Sequence, residues 1–145
     1  MNTAALADYR SYPLISALAT VQVLPDRLQV HWADGRLSPF HHQWLRDNCP
    51  CPQCVYSVTR EQVLEIVDVA EDLECNAARI DADGCLNLDW ADGHRSRFDP
   101  GWLRAHAYDR QSREERQAAK ARHSLWDASL QPVSYTHLTL PTKRI

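Results

Sequence analysis

The chain has 145 residues, 44% of them hydrophobic and 24% charged, with a formal net charge of −3. This is an ordinary globular composition, enough for one domain or for a domain and a fragment. The acidic balance argues against a nucleic-acid partner, and no apolar run approaches the roughly 20 residues of a membrane helix.

Residues 1–19 read as an N-terminal segment. They carry Asp8, Arg10 and Pro13 without a basic leader, which is not the pattern of an export signal. Five cysteines in such a chain favour metal or redox chemistry over disulfides, and the expected compartment is the cytoplasm.

A domain is expected over residues 20–108. It opens with LQVHWADGRLSPFHHQWLR, residues 28–46, in which Leu28, Val30 and Trp32 alternate as one apolar face of a strand. Asp34-Gly35 supplies a hairpin turn. A returning strand ends near Phe40, and a short helix carries Trp44, Leu45 and Arg46. The cysteine-rich stretch RDNCPCPQC follows. The β-branched run VLEIVDV predicts a further strand from about Gln62 to Val69. AARIDADGCLNL predicts another strand, turning at Asp83-Gly84.

The second half repeats the first. LNLDWADGHRSRFDPGWLR, residues 86–104, aligns without a gap on residues 28–46, with Trp90 lying 58 positions after Trp32. Its returning strand runs through His94, Ser96 and Phe98. Asp99 is a ready N-cap with Pro100 at the first helical position. The expected fold class is therefore α+β: a small, mostly antiparallel β domain with short helices, built from two β-hairpin–helix repeats. Trp32, Trp44, Trp90 and Trp102 are expected core anchors. Arg46 and Arg104 are expected to bond carboxylates such as Asp34 or Asp92.

Residues 109–132 begin as a charged stretch, DRQSREERQAAKARHS, with no apolar stripe, and read as a solvated helix or linker. SLWDASLQP then looks like the start of another apolar unit. Residues 133–145, VSYTHLTLPTKRI, closely resemble the translation of a transposon-derived sequencing adaptor. They are read as an artefact of DNA assembly, and the natural protein is expected to continue beyond Pro132.

Cys49-x-Cys51-x-x-Cys54 places three thiols within six residues, and Pro50 and Pro52 restrict the backbone between them. A structural zinc takes four Cys or His ligands in a closed tetrahedron, leaving no position for water. The repeat proposes the fourth. After Asp-Gly the first copy has Arg36 and the second has His94, which fits a histidine reaching across from the copy that lacks the cysteines. The expected metal set is Cys49, Cys51, Cys54 and His94, in a structural role. His31, His41, His42, His106, Cys75 and Cys85 remain competitors for the fourth place. An iron–sulfur cluster and a redox Cys51-x-x-Cys54 pair also remain. No P-loop, GxGxxG or GxSxG motif occurs, and no catalytic residues are assigned.

Taken together, W-x-D-G-x-x-S-x-F, W-L-R-D-N-C-x-C-x-x-C and the later W-x-D-G-H resemble the N-terminal domain of the γ-butyrobetaine dioxygenase-like family, over about residues 20–130. That family includes γ-butyrobetaine and trimethyllysine dioxygenases of carnitine biosynthesis. The resemblance implies that Cys49, Cys51, Cys54 and His94 bind a structural zinc. It also implies a second, double-stranded β-helix domain holding Fe(II) and 2-oxoglutarate through an HxD…H triad. No HxD occurs in these 145 residues. The implied partners are that catalytic domain and a second copy of the complete protein. A stand-alone zinc-binding assembly module of the same fold is the alternative.

Overall fold

The computed structural model describes residues 12–120. The SLWDASLQP stretch and the adaptor-like tail lie outside the described residues. Two three-stranded antiparallel sheets, each followed by a short helix, make up the domain. The first unit contains β1 (Leu18–Val23), β2 (Arg27–Trp32), β3 (Leu37–His41) and α1 (His42–Asp47). The second contains β4 (Cys75–Ile80), β5 (Leu86–Trp90), β6 (Arg95–Phe98) and α2 (Pro100–His106). A last helix, α3, spans Arg110–Ala119.

The central strand of each sheet carries the core. Leu28, Val30 and Trp32 on β2, and Leu86, Leu88 and Trp90 on β5, are all buried. They meet Phe40, Phe98, Leu45 and Leu103 from the returning strands and helices. Side chains of this size each gain roughly 1.5–3 kcal/mol on full burial, so this cluster dominates stability. The two buried indoles are not left polar inside the core. Trp32 Nε1 donates to Ser38 Oγ at 3.0 Å, and Trp90 Nε1 donates to Ser96 Oγ at 2.8 Å. This explains why each copy keeps a serine two residues before its phenylalanine.

The hairpin turns are also alike. In the first, Gly35 N donates to Trp32 O and Trp32 N to Arg36 O, both at 2.9 Å. Gly35 and Gly93 stand at φ +84° and +82°. A three-residue Ala-Asp-Gly loop therefore closes each hairpin, with glycine taking the left-handed position. Asp99 caps α2 by accepting from Trp102 N at 2.9 Å, and Pro100 opens the helix, as the sequence predicts.

Two expectations need correction. Residues 62–69 form no strand. Gln62 makes an isolated bridge to Val55, and Ile66–Asp68 is a single 3-10 turn. Val63 and Val67 are exposed there. β-Branched residues favour a pleated, half-buried surface, but among the described residues this run pairs with neither sheet. One edge of each sheet is formed by β1 and β4, each with a bulge at its start, after Leu18 and after Cys75. Each repeat is thus three strands and a helix, one strand more than its hairpin motif shows. The second correction concerns Trp44 and Trp102. They are half-buried rather than core anchors, and their ring centroids lie 5.5 Å apart in a shared aromatic cluster.

Candidate metal centre

Helix α1 ends at Asp47, and the chain then turns sharply through the cysteines. Cys49 N donates to Arg46 O, and both Cys54 N and Val55 N donate to Cys51 O at 3.0 Å. The following loop returns to hold this turn. Val63 N and Leu64 N both donate to Cys54 O, and Gln62 Nε2 donates to Asp47 Oδ1 at 2.7 Å. The result fixes Cys49, Cys51 and Cys54 with their sulfurs facing one point.

The hairpin turn of the second copy brings His94 to that point. His94 Nε2 lies 3.2 Å from Cys49 Sγ, 3.5 Å from Cys51 Sγ and 3.6 Å from Cys54 Sγ. All four donor atoms lie within 4.8 Å of one another. A tetrahedral ion with bonds of about 2.0–2.3 Å spaces such donors about 3.6–3.8 Å apart, so this cluster could hold a metal ion. The competing residues sit elsewhere. His41 contacts Tyr108 Oη at 2.9 Å, His42 contacts Leu73 O and His106 contacts Trp102 O. Cys75 lies on β4 with its thiol donating to Ala77 O, and Cys85 is buried beside the Asp83-Gly84 turn.

Burial sets the protonation of the ligands. It pushes the Cys49 thiol up to about 12. It raises Cys54 as well, against a hydrogen bond from Arg46 that favours the thiolate. Burial lowers His94, and the neighbouring Arg46 charge lowers it further. A neutral imidazole has the lone pair that a metal needs. A bound cation supplies the charge that makes the thiolates favourable, so loading releases protons.

Two residues outside the donor set lock this arrangement. Arg46 is buried; its Nη1 donates to Cys54 Sγ at 3.1 Å and its Nε to Asp92 Oδ2 at 3.3 Å. Asp92 Oδ1 in turn accepts from His94 N at 2.9 Å. One guanidinium and one carboxylate thus couple the cysteine turn to the histidine turn. The repeat pairs these arginines with these aspartates in the sequence but does not connect them to the cysteines. The available signal was that Arg46 immediately precedes the cysteine stretch and that Asp92 lies two residues before His94.

A family profile described as γ-butyrobetaine hydroxylase-like, N-terminal, matches residues 20–104. The chain belongs to the γ-butyrobetaine hydroxylase-like N-terminal family. Among its relatives is the γ-butyrobetaine dioxygenase of Pseudomonas sp. (strain AK-1), 54% identical over 133 residues, which are 92% of this chain and 35% of that protein. The mitochondrial trimethyllysine dioxygenase of Gallus gallus is 30% identical over 88% of this chain and 29% of that protein. The γ-butyrobetaine dioxygenase of Homo sapiens is 28% identical over 62% of this chain and 23% of that protein. The chain therefore spans between 23% and 35% of the length of these relatives. In the bacterial relative the matched part is N-terminal. The family's homologues are dioxygenases, and in this chain the family domain contains the cluster of three cysteines and one histidine. Among the described residues, no helix is long and apolar enough to cross a membrane.

Proposed function

We propose that this chain is the N-terminal zinc-binding part of a 2-oxoglutarate- and Fe(II)-dependent dioxygenase that hydroxylates γ-butyrobetaine in carnitine biosynthesis. The convergence of three thiols and one imidazole on a single point carries the metal part of this reading. A closed set of three sulfurs and one nitrogen suits zinc, whose preferred geometry is tetrahedral, and it leaves no open position for catalysis. Cys49, Cys51, Cys54 and His94 would hold the ion, which ties the two repeats together. The choice of γ-butyrobetaine over trimethyllysine follows the 54% identity to the bacterial enzyme against 30% to the trimethyllysine enzyme. Oxidative chemistry, iron and 2-oxoglutarate belong to the part of these enzymes that this chain does not span. The domain serves there as a rigid docking body for the catalytic domain and for dimer formation. Five cysteines free of disulfides suit a reducing cytoplasm.

Two measurements test this. The isolated chain should purify with one zinc, and His94→Ala should lower zinc retention under a competing chelator. Full zinc occupancy and unchanged affinity in that variant would defeat the ligand assignment. The complete open reading frame should hydroxylate γ-butyrobetaine with iron and 2-oxoglutarate. A frame that stops after residue 132 in the genome would instead leave a stand-alone zinc module.

A further inference from the structure

The chain that follows the cysteine turn is apolar and yet buries nothing. From Val55 to Asp72 no side chain is fully buried. Tyr56, Val58, Val63, Ile66 and Val67 are exposed, and they are five of the nine exposed large hydrophobic residues among those described. Single apolar residues on a surface are ordinary, but a concentration of them in one stretch marks a face that another surface covers.

These residues are held out by a defined backbone. Tyr56 N donates to Glu61 O and Arg60 N to Tyr56 O, both at 2.8 Å. Thr59 Oγ1 donates to Glu61 Oε2 at 2.9 Å. Arg60 closes the tip at φ +63°, a left-handed conformation that few non-glycine residues adopt. Both ends of this loop hang on the cysteine turn. Val55 N donates to Cys51 O at 3.0 Å, and Val63 N to Cys54 O at 2.8 Å. The loop therefore takes its position from the same turn that carries the thiols.

We infer that this loop, residues 56–67, is the face against which the rest of the full-length protein docks, through a surface that is apolar at its centre and basic at its rim. The inference rests on the proposed function, under which the enzyme extends beyond this chain. The chain matches 35% of the bacterial relative, so most of that protein lies outside the matched part and is available as the occupant. Charge selects its chemistry. Glu61, Glu65, Asp68, Glu71, Asp72 and Glu74 are all exposed in and beside the loop, with Arg60 as their only basic neighbour between residues 55 and 74. Two copies of this loop brought face to face would oppose like charges, which disfavours a second copy of the same loop as the occupant. Lysine or arginine around an apolar centre complements it.

Hydroxyl-radical footprinting of the zinc-loaded chain and of the full-length protein, read by mass spectrometry, tests this. Tyr56, Val58, Ile66 and Val67 should be oxidised readily in the chain and several times more slowly in the full-length protein. Val58→Glu and Val67→Glu alter side chains that are 74% and 86% exposed, so neither should change the zinc content or melting temperature of the chain. Each should lower the melting temperature of the full-length protein. Val67→Lys should lower it further than Val67→Glu, because the facing surface is basic. Unchanged reactivity of the four side chains in a full-length protein that hydroxylates γ-butyrobetaine would overturn this inference and leave the proposed function standing. So would a Val67→Lys variant no less stable than Val67→Glu, or self-association of the chain that Val67→Glu abolishes. A reading frame that stops after residue 132 would remove the occupant and overturn both.

Discussion

Gly101 sets two effects against each other. A Cβ there would meet Tyr12 O at 2.5 Å and Pro13 O at 3.0 Å, both backbone atoms. Helix propensity alone favours alanine by about 1 kcal/mol, whereas forcing an extra methyl into a filled space costs about 1–3 kcal/mol. The clash is with main chain that cannot swing aside, so Gly101→Ala is expected to lower the denaturant midpoint. A raised midpoint would mean that the N-terminal segment is only loosely seated. His42 gives a second expectation. It is buried edge-on to Trp90 with Nε2 unpartnered among the described residues, and burial lowers its pKa below 6.5, as it does for His94. A folded-state value below the unfolded one favours the neutral ring. Its stabilisation is full above pH 6.5 and is lost as pH falls through the depressed values. The metal-free chain should therefore lose stability on acidification from neutral pH, measured by urea unfolding at several pH values. A flat profile would contradict the burial of both rings.

The pairing of elements rests on two buried arginines that cross between the copies. Arg46 binds both Asp92 and Cys54, so Arg46→Gln should weaken metal affinity by about 10–100-fold, as loss of an outer-shell partner typically does, while leaving all four donors present. Competition against a coloured chelator reads this directly, and unchanged affinity would make the guanidinium a bystander. Much of this arrangement was legible in the sequence. The alternation of Leu28, Val30 and Trp32, the Ala-Asp-Gly loops and the Asp99-Pro100 start are local signals, and the structure follows them. The His94 position was visible because the repeat isolates the one residue at the turn that differs in kind between copies. The AARI run announces β4, whereas the edge strand β1 is harder to see. β1 buries only Leu18 fully, so its pattern carries little periodicity. The run at 62–69 misled for the opposite reason, since strand-like residues need a neighbouring strand that only the tertiary structure provides. Helix α3 shows the same limit. It has no apolar stripe, yet it docks through Asp109 to Ser38, Glu115 to Arg36, and Arg116 to the carbonyls that end α2.

For the molecule as a whole, the cluster of three cysteines and one histidine is one of the places where the two repeats meet outside the hydrophobic core, and it could hold a metal ion. Site formation and folding are then coupled, so removing the ion should cost fold stability as well as the metal. Adding a strong chelator is expected to lower the melting temperature of the chain, and restoring zinc should return it. X-ray absorption at the zinc edge of the purified chain reads the coordination shell itself. Three sulfurs at about 2.3 Å and one nitrogen at about 2.0–2.1 Å are expected around the ion. A shell of four sulfurs, or of oxygen and nitrogen alone, would contradict the expected set.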